Sequence, residues 1–122
     1  MVKIPVVYTT DDNYAIPTCV AIMSLLEKAH RTTYYDIYIV LTHETLRNYR
    51  DIFERIKCFY TGFNMTFLFI NDTLFQNAEI RNSYLTHAAY YRLYISELIG
   101  GYDKCIYMDG DVLVEDDLGE LY

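Results

Sequence analysis

Short, unbroken apolar runs alternate along this chain with longer segments of helical periodicity, and that alternation restricts its possible folds more than any other feature. Ile4-Pro5-Val6-Val7-Tyr8 is the first run, and residues 35–41 and 65–70 are the second and third. Their length and their β-branched and aromatic content read as buried strands. Between the first two, residues 14–28 are apolar around much of a helical circumference through Ile16, Cys19, Val20, Ile22, Met23, Leu25 and Leu26. They predict a well-buried helix. Asp12 or Asn13 is placed to cap it, and Pro17 is tolerated because it falls in the first turn. Leu46, Tyr49, Ile52, Phe53, Ile56 and Phe59 recur at i, i+3, i+4 and i+7, behind Thr42 or Glu44 and ahead of a stop at Gly62. Residues 71–83 read as a loop, residues 86–98 as a helix ending at Gly100-Gly101, and Ile106-Tyr107-Met108 as a last strand. The order β-α-β-α-β-(loop)-α-β predicts an α/β fold: a mostly parallel sheet with helices on both faces.

Composition narrows the partners. At 122 residues the chain is expected to form one domain, 1–122, and its net charge of −7 comes with no basic stripe. That argues against binding to a nucleic-acid backbone. A phosphate-bearing small ligand stays open, because a divalent cation can reverse the local field. Cys19, Cys58 and Cys105 lie far apart without a CxxC or Cys/His pattern, and read as buried free thiols in a reducing compartment. The first residues lack the apolar core of a signal peptide and no run reaches membrane-spanning length, so a cytoplasmic location is expected.

Chemistry concentrates in two acidic clusters. Asp109 and Asp111 flank Gly110 directly after the last strand. Strand alternation would aim both carboxylates at one point, where they repel unless a cation lies between them. Hard oxygen ligands suit Mg²⁺ or Mn²⁺ with open positions for water and phosphates. Gly110 allows a bend or the close approach of a ligand. A solvated acidic turn is the alternative. The cluster Thr9-Thr10-Asp11-Asp12-Asn13-Tyr14 follows the first strand. It is either a strand end with a helix cap, or a set of backbone and side-chain groups that holds a nucleobase or ribose. Ligands of such sheets bind beyond the carboxyl ends of the strands, where both clusters are expected. Arg92 stands in an apolar stretch and must snorkel, pair or face a ligand. Neither a GxGxxG after the first strand nor a GxxxxGK[ST] is present, and His30, His43 and His87 show no metal-ligand spacing.

The first strand ending in TTDDNYA, the segment YLTHAAYYRLYISELI and the block YDKCIYMDGDVLVEDDLGELY together resemble family 8 retaining glycosyltransferases. These include the lipopolysaccharide galactosyl- and glucosyltransferases. The resemblance covers essentially the whole chain, and its last block is highly specific. It implies a Rossmann-like GT-A fold and a hexosyltransferase that uses a UDP-sugar donor, Mn²⁺ or Mg²⁺, and a saccharide or lipopolysaccharide acceptor. Carried over by motif, Asp11, Asn13 and Tyr14, with the neighbouring Thr9, would meet the uridine. Arg92 would meet the donor sugar or diphosphate, and Asp109 and Asp111, with Gly110 between them, the metal. Members continue past this block into a half with a histidine metal ligand, a phosphate-binding lysine and the acceptor site, whereas this sequence stops at Tyr122. The chain is therefore expected to carry the UDP- and metal-binding half, with weak metal-dependent UDP binding and a tendency to self-associate. A non-catalytic nucleotide-binding module and a haloacid-dehalogenase-like phosphotransferase are the alternative readings. The second places its DxDx[TV] pattern on the first strand, whereas here the motif comes late.

Overall fold

The computed structural model describes residues 2–69, 102, 104–119 and 121–122. Strands β1 (Val2–Thr9), β2 (Thr33–Leu41), β3 (Phe63–Phe69) and β4 (Ile106–Met108) form one wholly parallel sheet in the order β3-β2-β1-β4. The four apolar runs are these four strands. Between them lie helices α1 (Ala15–Glu27) and α2 (His43–Phe59). Pro5 sits inside central β1, but the pairing with β4 begins one residue later, at Val6↔Ile106. Its missing N–H thus falls outside the described ladder between β1 and β4.

Register decides which side chains share the core. Val6 lies level with Ile37 and Ile106, and Ile37 with Met65. Alternation therefore turns Ile4, Val6, Tyr8, Tyr35, Ile37, Ile39, Leu41 and Met65 to one face, where they join Ile22 and Leu25 of α1 and Phe53 and Ile56 of α2. Both described helices cover that face, as right-handed crossovers moving one way along a sheet require. Val7 and Val40 are buried on the opposite face. The helix expected over residues 86–98 lies outside the described residues. Among the described residues no helix is long and apolar enough to cross a membrane.

Helix boundaries follow local chemistry. Thr42 caps α2 by accepting the Thr45 backbone N–H at 3.2 Å, and Gly62 takes the left-handed φ of +76° that ends the helix–strand turn. Helix α1 differs from expectation. Its Ala15, Thr18, Ile22 and Leu25 are fully buried, whereas Ile16 (56%), Val20 (50%) and Met23 (37%) stay exposed. A helix lying on a sheet buries the stripe that touches it, and these three residues fall on the other side. Cys19 is buried as expected, but Cys58 is exposed on α2 and Cys105 is half-buried, all as free thiols.

The segment after β4 runs the length of α1 as a strap. The Val114 N–H donates to Ser24 Oγ at 2.9 Å, and Asp117 reaches the amino edge of the sheet. There its carboxylate accepts from the His30 N–H (3.1 Å), Thr33 Oγ1 (3.0 Å), Tyr35 Oη (2.9 Å) and the Gly119 N–H (3.0 Å). Tyr35 Oη in turn accepts the Leu118 N–H at 3.0 Å. Burial pushes the Asp117 carboxyl up, but the hydrogen bonds outweigh it and hold the group below its ordinary value. Beyond the strap, the Tyr122 backbone O accepts from Lys104 Nζ, which also lies 4.6 Å from the Tyr122 ring centre.

Candidate functional site

The strand order places a crevice at one point of the carboxyl edge. From β1 the chain moves outward through β2 and β3, then returns to β4 on the other side of β1. Neighbouring strands whose connections leave in opposite directions open such a gap between their ends. Tyr8↔Met108 is the last paired position, so the loops after β1 and β4 start level with each other. Residues 9–14 and 109–111, the two clusters singled out in the sequence, are thereby brought together.

In the first loop neither Asp12 nor Asn13 caps α1: the N-cap is Tyr14, without a side-chain cap bond, and Asp11 closes the turn before it. The Asp11 Oδ1 accepts the Tyr14 backbone N–H at 3.0 Å, and the Asp11 backbone O accepts the same group at 3.2 Å. The helix starts only at Ala15, which sets the reach back to Asp11. Asp12 Oδ2 accepts from Asn48 Nδ2 of α2 at 3.2 Å. Asn13 is exposed, and so is the Tyr14 ring at 46%.

The second loop is a turn rather than an extension of the strand. β4 stops at Met108, and the Val112 N–H donates to the Asp109 backbone O at 3.3 Å. Strand alternation therefore does not govern Asp109 and Asp111, which are both exposed. Among the described residues, no hydrogen bond or ion pair engages the side chains of Asn13, Asp109 or Asp111. The turn arises because the backbone lies down against α1. A Cβ on Gly110 would stand 2.5 Å from Thr18 Oγ1 and 3.1 Å from the Thr9 backbone O. Glycine serves here a close approach between protein segments.

Hydroxyls join the two loops from beneath. Thr9 Oγ1 and Tyr107 Oη are 2.8 Å apart, linking the ends of β1 and β4, and Thr18 Oγ1 donates to Thr10 Oγ1 at 2.9 Å. Thr18, Tyr107 and Asn48 were not among the sequence candidates, and Thr10 was singled out only as part of the cluster 9–14. A lone threonine inside the apolar run of α1 was the available signal for one of them. Farther along the same edge, His43 stacks on Phe69 with ring centres 3.7 Å apart. Arg92 lies outside the described residues.

The donor set matches a hard cation only in part. Among the described residues no group of three or more His, Cys, Asp or Glu side chains could hold an ion. Two carboxylates on one turn, without partners among the described residues, suit Mg²⁺ or Mn²⁺, which complete their octahedra with water and phosphate oxygens.

Comparison with known proteins places this geometry. A family model described as Glycosyl transferase family 8 matches residues 5–122. General stress protein A of Bacillus subtilis (strain 168) is 29% identical over 119 residues, covering 96% of this chain and 41% of that protein. Among solved structures, the WbbM bifunctional glycosyltransferase in its apo form gives a TM-score of 0.74 at 29% identity, over 98% of this chain and 20% of that one. The galactosyltransferase LgtC, solved in complex with donor and acceptor sugar analogs, gives a TM-score of 0.63 at 31% identity, over 97% of this chain and 41% of that one. The chain thus spans less than half the length of each.

Proposed function

The chain belongs to glycosyl transferase family 8, and from that premise we propose that it carries the donor-binding half of a retaining hexosyltransferase. The enzyme moves a hexose from a UDP-sugar to a hydroxyl of a saccharide acceptor, such as a lipopolysaccharide. The observation that carries this reading is the meeting, at the β1–β4 switch point, of two loops whose Asn13, Asp109 and Asp111 side chains lack partners among the described residues. Thr9, Asp11, Asn13 and Tyr14 receive the uridine, and Arg92 the donor sugar or diphosphate. Asp109 and Asp111, held on either side of Gly110, bind Mn²⁺ or Mg²⁺.

Charge supports the order of events. A diphosphate approaching a turn with two carboxylates, on a chain of net charge −7, meets repulsion at that turn. Donor binding therefore depends on a cation at Asp109 and Asp111. When bound, such an ion supplies Lewis-acid stabilisation of charge on the departing UDP. The exposed Tyr14 ring offers a face for the uracil, and the Asn13 amide, without a partner among the described residues, offers both a donor and an acceptor to it.

UDP titration with and without Mn²⁺ tests the assignment. Asp109→Ala and Asp111→Ala should each abolish Mn²⁺-dependent UDP binding while the far-UV circular dichroism stays that of the parent. Variants that bind UDP with an unchanged Mn²⁺ requirement would overturn it. UDP-hexose hydrolysis and transfer, followed beside binding, separate an enzyme from a nucleotide-binding module.

A further inference from the structure

We propose that Thr18 is a positioning residue for this site: its buried hydroxyl, wedged between Thr10 and Gly110, sets the spacing of the two loops. Thr18 is 0% exposed on a helix whose other buried residues (Ala15, Cys19, Ala21, Ile22, Leu25 and Leu26) are apolar. A hydroxyl in such surroundings is costly unless it is bonded. Its bond goes to Thr10 Oγ1 at 2.9 Å, and Thr10 is itself anchored by its backbone N–H on the Val40 carbonyl at 3.1 Å. On its other side the same oxygen meets Gly110 so closely that a Cβ there would stand 2.5 Å away. Carbon–oxygen contact at that distance is far inside the van der Waals minimum. One oxygen atom therefore touches the loop that leads to Asn13 and Tyr14 and the turn that carries Asp109 and Asp111. Residues 18 and 110 form a size-matched pair, and the glycine is required because the threonine is present.

A mere core-filling role for Thr18 predicts something else. Damage from a methyl group at residue 110 would then be independent of residue 18, and loss of the hydroxyl would alter stability without altering ligand affinity.

The proposal rests on the donor-binding reading for its ligand, so the experiment combines two readouts: urea unfolding, and UDP titration with Mn²⁺ at a temperature where circular dichroism shows every variant folded. The proteins are the parent, Thr18→Ser, Thr18→Ala, Gly110→Ala and the double variant Thr18→Ala/Gly110→Ala. Thr18→Ser, which keeps the oxygen, should bind UDP within about twofold of the parent. Thr18→Ala should bind about fivefold more weakly, and Gly110→Ala at least about thirtyfold more weakly. In the double variant the 2.5 Å clash is gone and only the 3.1 Å contact with the Thr9 carbonyl remains. It should recover to within about threefold of Thr18→Ala. A double variant no better than Gly110→Ala, or Thr18→Ala binding like the parent, would overturn the proposal. If the parent itself binds no UDP, the donor-binding reading fails while the urea data still decide the pairing. Non-additive stabilities for residues 18 and 110 then support it, and additive ones overturn it.

Discussion

At the amino edge of the sheet the Asp117 carboxylate is enclosed, with a side chain 5% exposed and hydrogen bonds from His30, Thr33, Tyr35 and Gly119. At the carboxyl edge Asp109 and Asp111, earlier in the same segment, stand exposed on a turn without side-chain partners among the described residues. The three aspartates share one motif-rich block, yet the protein treats their charges in opposite ways. At Asp117 the cost of burying an anion is already offset by fixed donors. Tyr35 keeps its proton for that purpose, because burial first and Asp117 next push its phenol up to about 12. At Asp109 and Asp111 nothing within the described residues offsets the charge, so those carboxylates are available to a cation. Acidic residues in one block thus differ in whether the described fold already supplies their partners.

The largest expected effect tests that division directly. Asp117→Ala leaves the Thr33 and Tyr35 hydroxyls and the His30 N–H facing a hole, and should lower unfolding free energy by about 3 kcal/mol. Asp109→Ala, at an exposed turn, should shift it by less than about 0.5 kcal/mol. Urea denaturation of the two variants side by side gives both numbers. Equal losses would remove the distinction between the edges.

Acid provides a second, graded test. The folded Asp117 carboxyl lies below its ordinary value of 3.8. A group depressed on folding stabilises fully above its unfolded value and loses that contribution as pH falls through its folded one. Stability should therefore decline as pH drops below about 4, and Asp117→Asn should flatten that decline. The urea midpoint measured from about pH 6 to about pH 2 checks it. An asparagine variant with the same acid limb as the parent would assign the decline to other carboxylates.

Much of this architecture was legible in the sequence. Runs of valine, isoleucine and aromatic residues can only be buried as strands in so short a length, and all four strands lie where those runs are. The parallel order followed from the intervening helices, and from that order followed the meeting of the two acidic clusters. What was not legible depends on tertiary neighbours. Periodicity marks α1 as apolar but does not say which side the sheet takes, so Ile16, Val20 and Met23 were expected inside. Asp12 or Asn13 was expected to cap α1, but the helix begins only at Ala15 and its N-cap is Tyr14, which depends on where the first turn closes. Asp117 carried no signal of its own in the sequence, because its partners His30, Thr33 and Tyr35 lie 82 to 87 residues away.

Within the carboxyl edge itself, Asp11 and Asn13 sharpen the comparison. Asp11 already holds the Tyr14 N–H in the turn before α1, so Asp11→Ala should lower stability by about 1 kcal/mol. Asn13 holds nothing among the described residues, so Asn13→Ala should leave stability unchanged and weaken UDP binding by about 1–3 kcal/mol. Measuring both quantities on both variants separates a turn-forming residue from a ligand contact. A stability loss at Asn13 without any change in UDP affinity would return the whole loop to the structural side.

The smallest effect should come from Asn48. Its Nδ2 donates to Asp12 Oδ2 at 3.2 Å across the exposed gap between α2 and the first loop. A bond this accessible competes with water at each partner, so Asn48→Ala should cost less than about 0.5 kcal/mol of stability. The loop remains held at Asp11 and Thr10, which bond to Tyr14, Val40 and Thr18. UDP affinity should therefore fall by no more than about twofold. Calorimetric titration of UDP with Mn²⁺ into the Asn48→Ala variant checks this. A tenfold loss would mean that the carboxyl edge depends on prepaired side chains much as the amino edge does. The contrast between a satisfied and an unsatisfied end of the sheet would then apply to Asp109 and Asp111 alone.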